Sequence, residues 1–356
     1  MASFALIRSA RLRNILRTVI VIGLAVGLIA VFLRNADPGE VWAAVTTARI
    51  DYLLLALVLM VLTYVVRAER WTYLLAPLGR ARFSAVFRTT VIGFGASAVL
   101  PARAGEVIRP YLLARREGLS FTAALATIVV ERILDLVAVL VQLAVFLLVF
   151  DPGLEAKDSA VFSAIRFGGL LTAPIAVGAL LVMFFMAGHP DTLHAWLLKA
   201  ETVFPARIAS MIARLARTFA EGFAVVRHAP RLIAAMAWSC ILWVLIAGSI
   251  WVTSQAFGID MPVTGSWLML APLVVGVAVP TPGGVGGFHE AYRIGATAFF
   301  GVDNDTAVGA AIVLHAISVV PVTIAGLAFM VQDGLKLGEL TIGNSAIEKV
   351  EDGAVK

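Results

Sequence analysis

Long apolar runs recur through this chain, separated by short charged stretches. The run from Thr18 to Leu33 is followed by others near 51–66, 119–150, 161–187, 232–257 and 306–330. Hydrocarbon about 30 Å thick offers no water to backbone N–H and C=O groups, so a segment that crosses it has to close its own hydrogen bonds. An α-helix does this within one segment. The expected fold class is therefore an all-α integral membrane protein, a polytopic helical bundle. Composition agrees, with 60% of the 356 residues hydrophobic and 14% charged, against about 45–50% and about 25% in soluble domains.

Two more apolar segments, near 84–112 and 264–300, are interrupted in the middle by proline and glycine. Each is either a crossing with a break or a hairpin that leaves on the side it entered. Loop charge arbitrates, because lysine and arginine collect on the cytoplasmic side. Arg8, Arg11, Arg13 and Arg17 precede the first apolar run and no small-x-small cleavage site follows it, which reads as an uncleaved first span. Segment 34–50 sets Arg34 and Arg49 against Asp37 and Glu40, while 67–88 has Arg67, Arg70, Arg80, Arg82 and Arg88 against Glu69. Arg115 and Arg116 then put both ends of the first broken segment inside. Asp151, Glu155 and Asp158 make the next loop external, and six basic residues from Lys199 to Arg231 return 189–231 to the cytoplasm. Asp303 and Asp305 favour an external exit for the second broken segment. The expectation is six full spans and two re-entrant hairpins entering from opposite faces of the inner (plasma) membrane, with both termini cytoplasmic. This orientation accounts for the net charge of +5 without nucleic acid.

The broken segments resemble each other. "VLPARAG" (99–105) matches "AVPTPGG" (278–284), with Pro101 over Pro280 and Gly105 over Gly284. "ATIVVERI" (126–133) matches "AAIVLHAI" (310–317), which sets His315 against Glu131. In opposite orientations these halves, about 51–187 and 232–330, form an inverted repeat, a plan in which broken helices meet near the midplane around a substrate. The second break holds Gly283, Gly284, Gly286 and Gly287. Glycine permits a tight reversal, and a half-helix beginning near Phe288 aims its positive end at the bend. A phosphate or carboxylate suits such a place; a purely structural turn is the other reading.

Glu131, Arg132 and Asp135 lie inside the run 119–150. Each costs roughly 2.5–3.5 kcal/mol at a helix centre, so a lipid-facing position is excluded. Glu131 and Asp135 share a helix face and repel, which calls for further cations. Arg103 and Arg109 on the first hairpin are the natural suppliers, with Glu106 between them. The group then lines a polar cavity, or locks the hairpin as a salt-bridge network, or does both. After the second bend come His289, Glu290 and Arg293, but a zincin motif needs histidine where Arg293 stands. His315 is either a packed core histidine or a group titrating near neutral pH. No metal set and no cofactor is expected, and the chain has no phosphate loop for ATP. Cys240, the sole cysteine, reads as a packing residue in an apolar run. Residues 205–228 show a basic amphipathic pattern, either a helix on the anionic inner leaflet or one packed on the protein itself.

"GFGASAVLPARAGEVIRPYLL", "TIVVERILDLV" and "PTPGGVGGFHEAY", in that order, resemble the flippase-like membrane domain also found in bacterial lysylphosphatidylglycerol synthases. Stand-alone members are associated with hopanoid handling and archaeal glycan assembly. The resemblance spans roughly 15–330, within a membrane domain read as 1–335 with a linker at 189–231 and a tail at 336–356. Its motif positions fall on Pro101, Gly105, Glu106, Arg109, Glu131, Arg132 and Asp135, and on Pro280, Pro282, Gly283, Gly286, Gly287 and Glu290. The resemblance implies movement of a membrane phospholipid, or another polar-headed lipid, between leaflets. It does not imply synthase activity, because the soluble transferase domain of the bifunctional synthases has no counterpart in this sequence. Two other readings stay open: an accessory protein of envelope assembly, and an intramembrane hydrolase using Ser97 and His315. A homo-oligomer is compatible with all three.

Overall fold

The computed structural model describes residues 19–20, 22–100, 103–149, 160–188, 223, 225 and 228–335. Helices account for almost all ordered elements, and no strand occurs among the described residues. In chain order they are α1 (Ile22–Leu33), α2 (Pro38–Thr47), α3 (Ile50–Leu75), α4 (Phe83–Val99), α5 (Gly105–Glu117), α6 (Phe121–Val149), α7 (Ala160–Gly188), α8 (Ala229–Ala256), α9 (Gly265–Ala278), α10 (Gly287–Phe300) and α11 (Asn304–Gln332). A single 3₁₀ turn, Pro282–Gly284, lies between α9 and α10.

Four of these, α3, α7, α8 and α11, are long and apolar enough to cross a membrane. Helix α6 matches them in length at 29 residues but carries Glu131, Arg132 and Asp135. Helices α1 and α2 meet at 84°, so the first apolar run ends in an elbow. The elbow is stable because the Asp37 carboxylate accepts from the amides of Gly39 and Glu40, and Pro38 opens α2 where its missing N–H is harmless. Large apolar side chains stay exposed along the long helices, among them Leu170, Ile175, Ile324 and Val331. Such a surface suits lipid and not water.

Both interrupted segments fold as antiparallel helical hairpins. In the first, α4 lies so close to α5 that a Cβ at Gly105 would overlap the Gly93 carbonyl oxygen and the Ser97 hydroxyl. In the second, Gly276 and Gly287 play the same part, and Gly295 leaves room for Met269. The arms of α4, α5, α9 and α10 have 17, 13, 14 and 14 residues, about 20–25 Å each. That is short of the roughly 20 residues a crossing needs.

Helix α11 serves as a ruler for where the hairpins sit. At its start, Asn304 accepts from Arg293 of α10 at 3.2 Å. At its middle, the His315 ring bonds the Gly283 carbonyl at 2.8 Å. Farther along, Gly326 packs on Gly95 and Val91 of α4. At its end, Asp333 pairs with Arg88 at 2.9 Å. The second hairpin therefore lies along the first half of α11 and the first hairpin along the second half. They approach from opposite ends of one spanning helix and meet tip to tip. The Arg103 guanidinium donates to the Val277 carbonyl at the C-terminal end of α9, and Gly283 packs on Ala98.

Two features depart from the sequence reading. The span at 51–66 does not end there: α3 runs on to Leu75, so Arg67 and Arg70 belong to a helix and not to a cytoplasmic loop. The physical reason is that Arg70 finds buried carboxylates, and Trp71 and Leu74 continue the packed face. The second break is longer than the first, eight residues (279–286) against five (100–104). The residue opening the second arm opposite Gly105 is therefore Gly287 and not Gly284. Most of the amphipathic stretch 205–228, the tail 336–356 and Pro101 lie outside the described residues. Phe223 and Val225 are described, and both are buried in a core with Trp71, Leu75 and Leu134.

Candidate functional site

Helix α6 brings the polar centre together because Glu131, Arg132 and Asp135 fall on adjoining faces just where α3, α5 and α8 converge on it. Glu131 is fully buried and receives Arg70 of α3 at 3.1 Å and Arg109 of α5 at 3.0 Å. Asp135 is bonded by Arg70, by Arg132 at 3.3 Å and by the Trp243 indole N–H of α8 at 3.0 Å. Arg70 also donates to the Ser239 hydroxyl at 2.9 Å. Arg109 stacks 3.8 Å above the Trp71 ring, and the Trp71 N–H is held by the Thr127 hydroxyl at 2.9 Å. This stacking orients the guanidinium toward Glu131.

The charges do not balance. Arg70, Arg109 and Arg132 surround two carboxylates, and Arg67 lies 4.6 Å over the Phe94 ring as a fourth guanidinium. Glu106 adds a carboxylate only at the rim, 3.9 Å from Arg132 and 4.0 Å from Arg103. The Nε atoms of Arg67, Arg70, Arg109 and Arg132, and Nη2 of Arg109, are buried without a protein acceptor, while one acceptor of the cluster, Glu131 Oε2, is likewise without a hydrogen-bond donor. Buried donors of this kind call for an acceptor from elsewhere. Between the first hairpin and α6 is a cavity of about 20 Å³ bordered by Ser97, Gly105, Glu106, Arg109 and Arg132. It has room for one water-sized group, not for a phosphate. Arg132 is the cation open to the outside, its side chain 37% exposed.

The second hairpin forms a separate centre. Gly283, Gly284 and Gly286 all have positive φ, a region that opposes any side chain. Their bend is largely closed on itself. The Gly284 and Val285 amides bond Thr281 and Pro282 carbonyls, and the Gly286 amide donates to His289 Nδ1 at 3.2 Å. The rings of His289 and His315 lie 4.3 Å apart, with Phe32 of α1 against His289 and Phe288 against His315. Those two bonds assign the tautomers: His289 accepts at Nδ1, and His315 donates from Nε2. Glu290 pairs within its own helix to Arg293 at 2.8 Å. Outside the spans, hydrogen bonds from Thr306, then from the amides of Asp305 and Thr306, hold the Asp303 carboxyl below the usual carboxylate range and cap α11.

The sequence residues thus fall into two groups. Arg109, Glu131, Arg132 and Asp135 meet, with Glu106 at the edge. Gly283, Gly284, Gly286, Gly287, His289 and His315 meet around the second bend, with Glu290 and Arg293 beside it. Arg103 joins the two tips and does not reach Glu131. Sequence reasoning missed Arg67, Arg70, Trp71, Ser239 and Trp243. A signal existed for Arg70, since Arg67, Arg70, Trp71 and Leu74 continue the helical spacing of the preceding span. Ser97 and His315 share no hydrogen bond: His315 serves Gly283, while Ser97 borders the other cavity.

Helical content, apolar spans and a charged interior define a polytopic α-helical membrane protein. The chain belongs to the family described as the lysylphosphatidylglycerol synthase TM region, which matches residues 14–326. A stretch of 88 residues, 24% of this chain, is 33% identical to the UPF0104 membrane protein MJ1595 of Methanocaldococcus jannaschii and covers 26% of it. Another of 127 residues, 35% of this chain, is 32% identical to the glycosyltransferase AglD of Haloferax volcanii and covers 20% of it. The matched stretches span about a quarter or less of those relatives.

Proposed function

We propose that this protein moves a lipid with an anionic or polar head group between leaflets, passively or coupled to an ion. The observation that carries the reading is the surplus of buried guanidinium over carboxylate between a hairpin and α6. Arg67, Arg70 and Arg109 against Glu131 and Asp135 in the interior, with Arg132 and Glu106 paired at the rim, leave a net positive charge that attracts a further anion, and a phosphate is the one every anionic phospholipid carries. The half-exposed Arg132 is the point of entry, and Arg109 is the deeper donor with Nη2 free.

An apolar cleft of about 520 Å³ lies between α6, α7 and the second hairpin. On α6 its lining residues Leu136, Val139, Leu140 and Leu143 fall within about 80° of Arg132 around the helix. One helix face therefore runs from a cation to an apolar wall, which matches a lipid with its head at Arg132 and a tail in the cleft. The cavity of about 20 Å³ is the closed state on this reading. Loading requires the first hairpin to shift away from α6.

The membrane domain lies in the inner membrane with both termini cytoplasmic, and the halves around the two hairpins form an inverted repeat. The chain acts as a transporter, a reading supported by the unmatched buried guanidinium donors of the first centre. The family is described as the TM region of a lysylphosphatidylglycerol synthase and one partial relative is named a glycosyltransferase, descriptions compatible with a polar-headed lipid as the molecule moved. The tightly closed charge network favours a second reading, an accessory protein in which the cluster only fixes the fold.

Reconstitution into liposomes with fluorescent phosphatidylglycerol decides between them. Leaflet exchange above protein-free vesicles is expected, falling at least about tenfold in Arg132→Gln, the loss of roughly 1.4 kcal/mol of interaction with the moving head group. The absence of exchange for anionic, aminoacylated and polyprenyl lipids alike would leave the accessory reading.

A further inference from the structure

The base of the first hairpin holds a pocket that the transport reading does not use. It has a volume of about 450 Å³ and is lined by Arg82, Phe83, Ser84, Arg88, Arg116 and Phe329. That size is within the range of small-molecule sites, about 300–1,000 Å³. Three guanidiniums border it. Arg82 pairs with Glu117 at 3.2 Å, while Arg88 and Arg116 share Asp333 at 2.9 and 3.3 Å. Three cations against two carboxylates leave a positive surplus at the mouth, where the Arg82 and Arg116 side chains are 74% and 40% exposed.

The other wall is aromatic. Phe83 stacks on Phe87 at 6.1 Å, Phe87 meets Phe329 edge to face at 6.4 Å, and Arg88 lies 4.6 Å above the Phe329 ring. Phe83 is exposed. The pocket sits where α4 begins and α11 ends, at the end of a spanning helix, which is the level of lipid head groups. From Arg88 to Ser97 along α4 is nine residues, about 14 Å, so this pocket and the cavity at Arg109 are distinct places.

We infer that this pocket binds the phosphodiester of an anionic phospholipid standing in the adjoining leaflet, with its phosphate on Arg82 and Arg116 and its glycerol and upper acyl carbons against Phe83 and Phe329. A soluble anion would use the arginines alone and leave the aromatic wall idle. A neutral lipid would use the wall and leave the surplus charge unanswered. An anionic lipid answers both. Arg88, tied to Asp333, Gln332 and Phe329, holds the pocket in shape.

The test is photocrosslinking of full-length protein in mixed phosphatidylglycerol and phosphatidylcholine vesicles, using phosphatidylglycerol with a photoactivatable group near the head, followed by peptide mapping. Label is expected on the peptides holding Phe83–Arg88 and Phe329. It should fall at least fivefold in Arg82→Gln/Arg116→Gln, with an unchanged thermal unfolding midpoint showing that the fold is kept, and stay unchanged in Arg132→Gln. Competition by inorganic phosphate, against chloride of equal ionic strength, should leave the label in place. Labelling elsewhere only, or equal labelling in the double variant, overturns the site. Complete displacement by inorganic phosphate overturns the lipid as its occupant.

Discussion

In the first hairpin the polar groups reach outward. Arg109 leaves α5 to meet Glu131 on α6 and Trp71 on α3, and Arg103 leaves the tip to hold a carbonyl of α9. In the second hairpin they turn inward or to the ruler helix: Glu290 takes Arg293 three residues on, and the Gly286 amide takes the His289 ring. The difference follows from the breaks. Eight residues with three left-handed glycines make a turn that satisfies its own amides. In the first break Arg103 has a positive φ of 53°, and its guanidinium is spent on a carbonyl of α9. The second hairpin carries its own shape, whereas the first is held by what surrounds it.

The largest expected effect tests this dependence directly. Arg70→Ala removes a fully buried guanidinium bonded to Glu131, Asp135 and Ser239; Arg109 and Arg132 stay on the carboxylates, so the expected loss is about 2–3 kcal/mol, below the cost of a fully uncompensated buried charge. Arg293→Ala breaks a partly exposed pair within one helix, expected at about 1 kcal/mol or less. Thermal unfolding of the purified protein in detergent reads both. Equal losses would erase the contrast between outward-held and self-contained hairpins.

Next come the close arm contacts. Overpacking costs typically about 1–3 kcal/mol. Gly105→Ala overlaps the Gly93 carbonyl more deeply than Gly287→Ala overlaps that of Gly276. The first hairpin should therefore lose more, and its midpoint should drop further in the same unfolding assay. A larger loss for Gly287→Ala would mean that the first hairpin yields freely, and that its arms are not fixed by their glycine contact. A smaller effect is expected at His315→Phe, which keeps an aromatic ring beside His289 and Phe288 but frees the Gly283 carbonyl, at about 1 kcal/mol. Slow amide exchange at Gly284–Gly286 should quicken in that variant with α4 unaffected.

Much of this arrangement was legible in the sequence because burial in a membrane makes each charge and each glycine conspicuous. Proline and glycine in the middle of apolar runs marked both hairpins, and Glu131, Arg132 and Asp135 marked the interior. The partners were less visible. Arg67 and Arg70 follow an apolar run and look like loop charge, since nothing local says that a helix carries them past the point where hydropathy falls. Which arginine meets which carboxylate depends on how four helices converge, and no spacing within one helix encodes that. The closed bend of the second hairpin was equally hidden: glycines that suit an anion cradle also suit a turn that bonds itself, and His289 decides between them from three residues away.

The smallest effect isolates the strained tip. Arg103→Gly and Arg103→Ala both remove the bond to Val277, so their difference reports the backbone alone. A left-handed conformation costs a residue with a Cβ roughly 1–2 kcal/mol, while the extra freedom of glycine in the unfolded chain returns about 0.4–1 kcal/mol against it. The glycine variant should be the more stable by about 0.5 kcal/mol, a shift small but measurable by paired denaturation. If alanine is equal or better, the tip relaxes out of the left-handed region once the side chain is gone. Its geometry is then imposed by the grip of Arg103 on the other hairpin and not by the shortness of the break. In that case the contact between tips, more than the glycine-poor turn, is what keeps the first hairpin against α6.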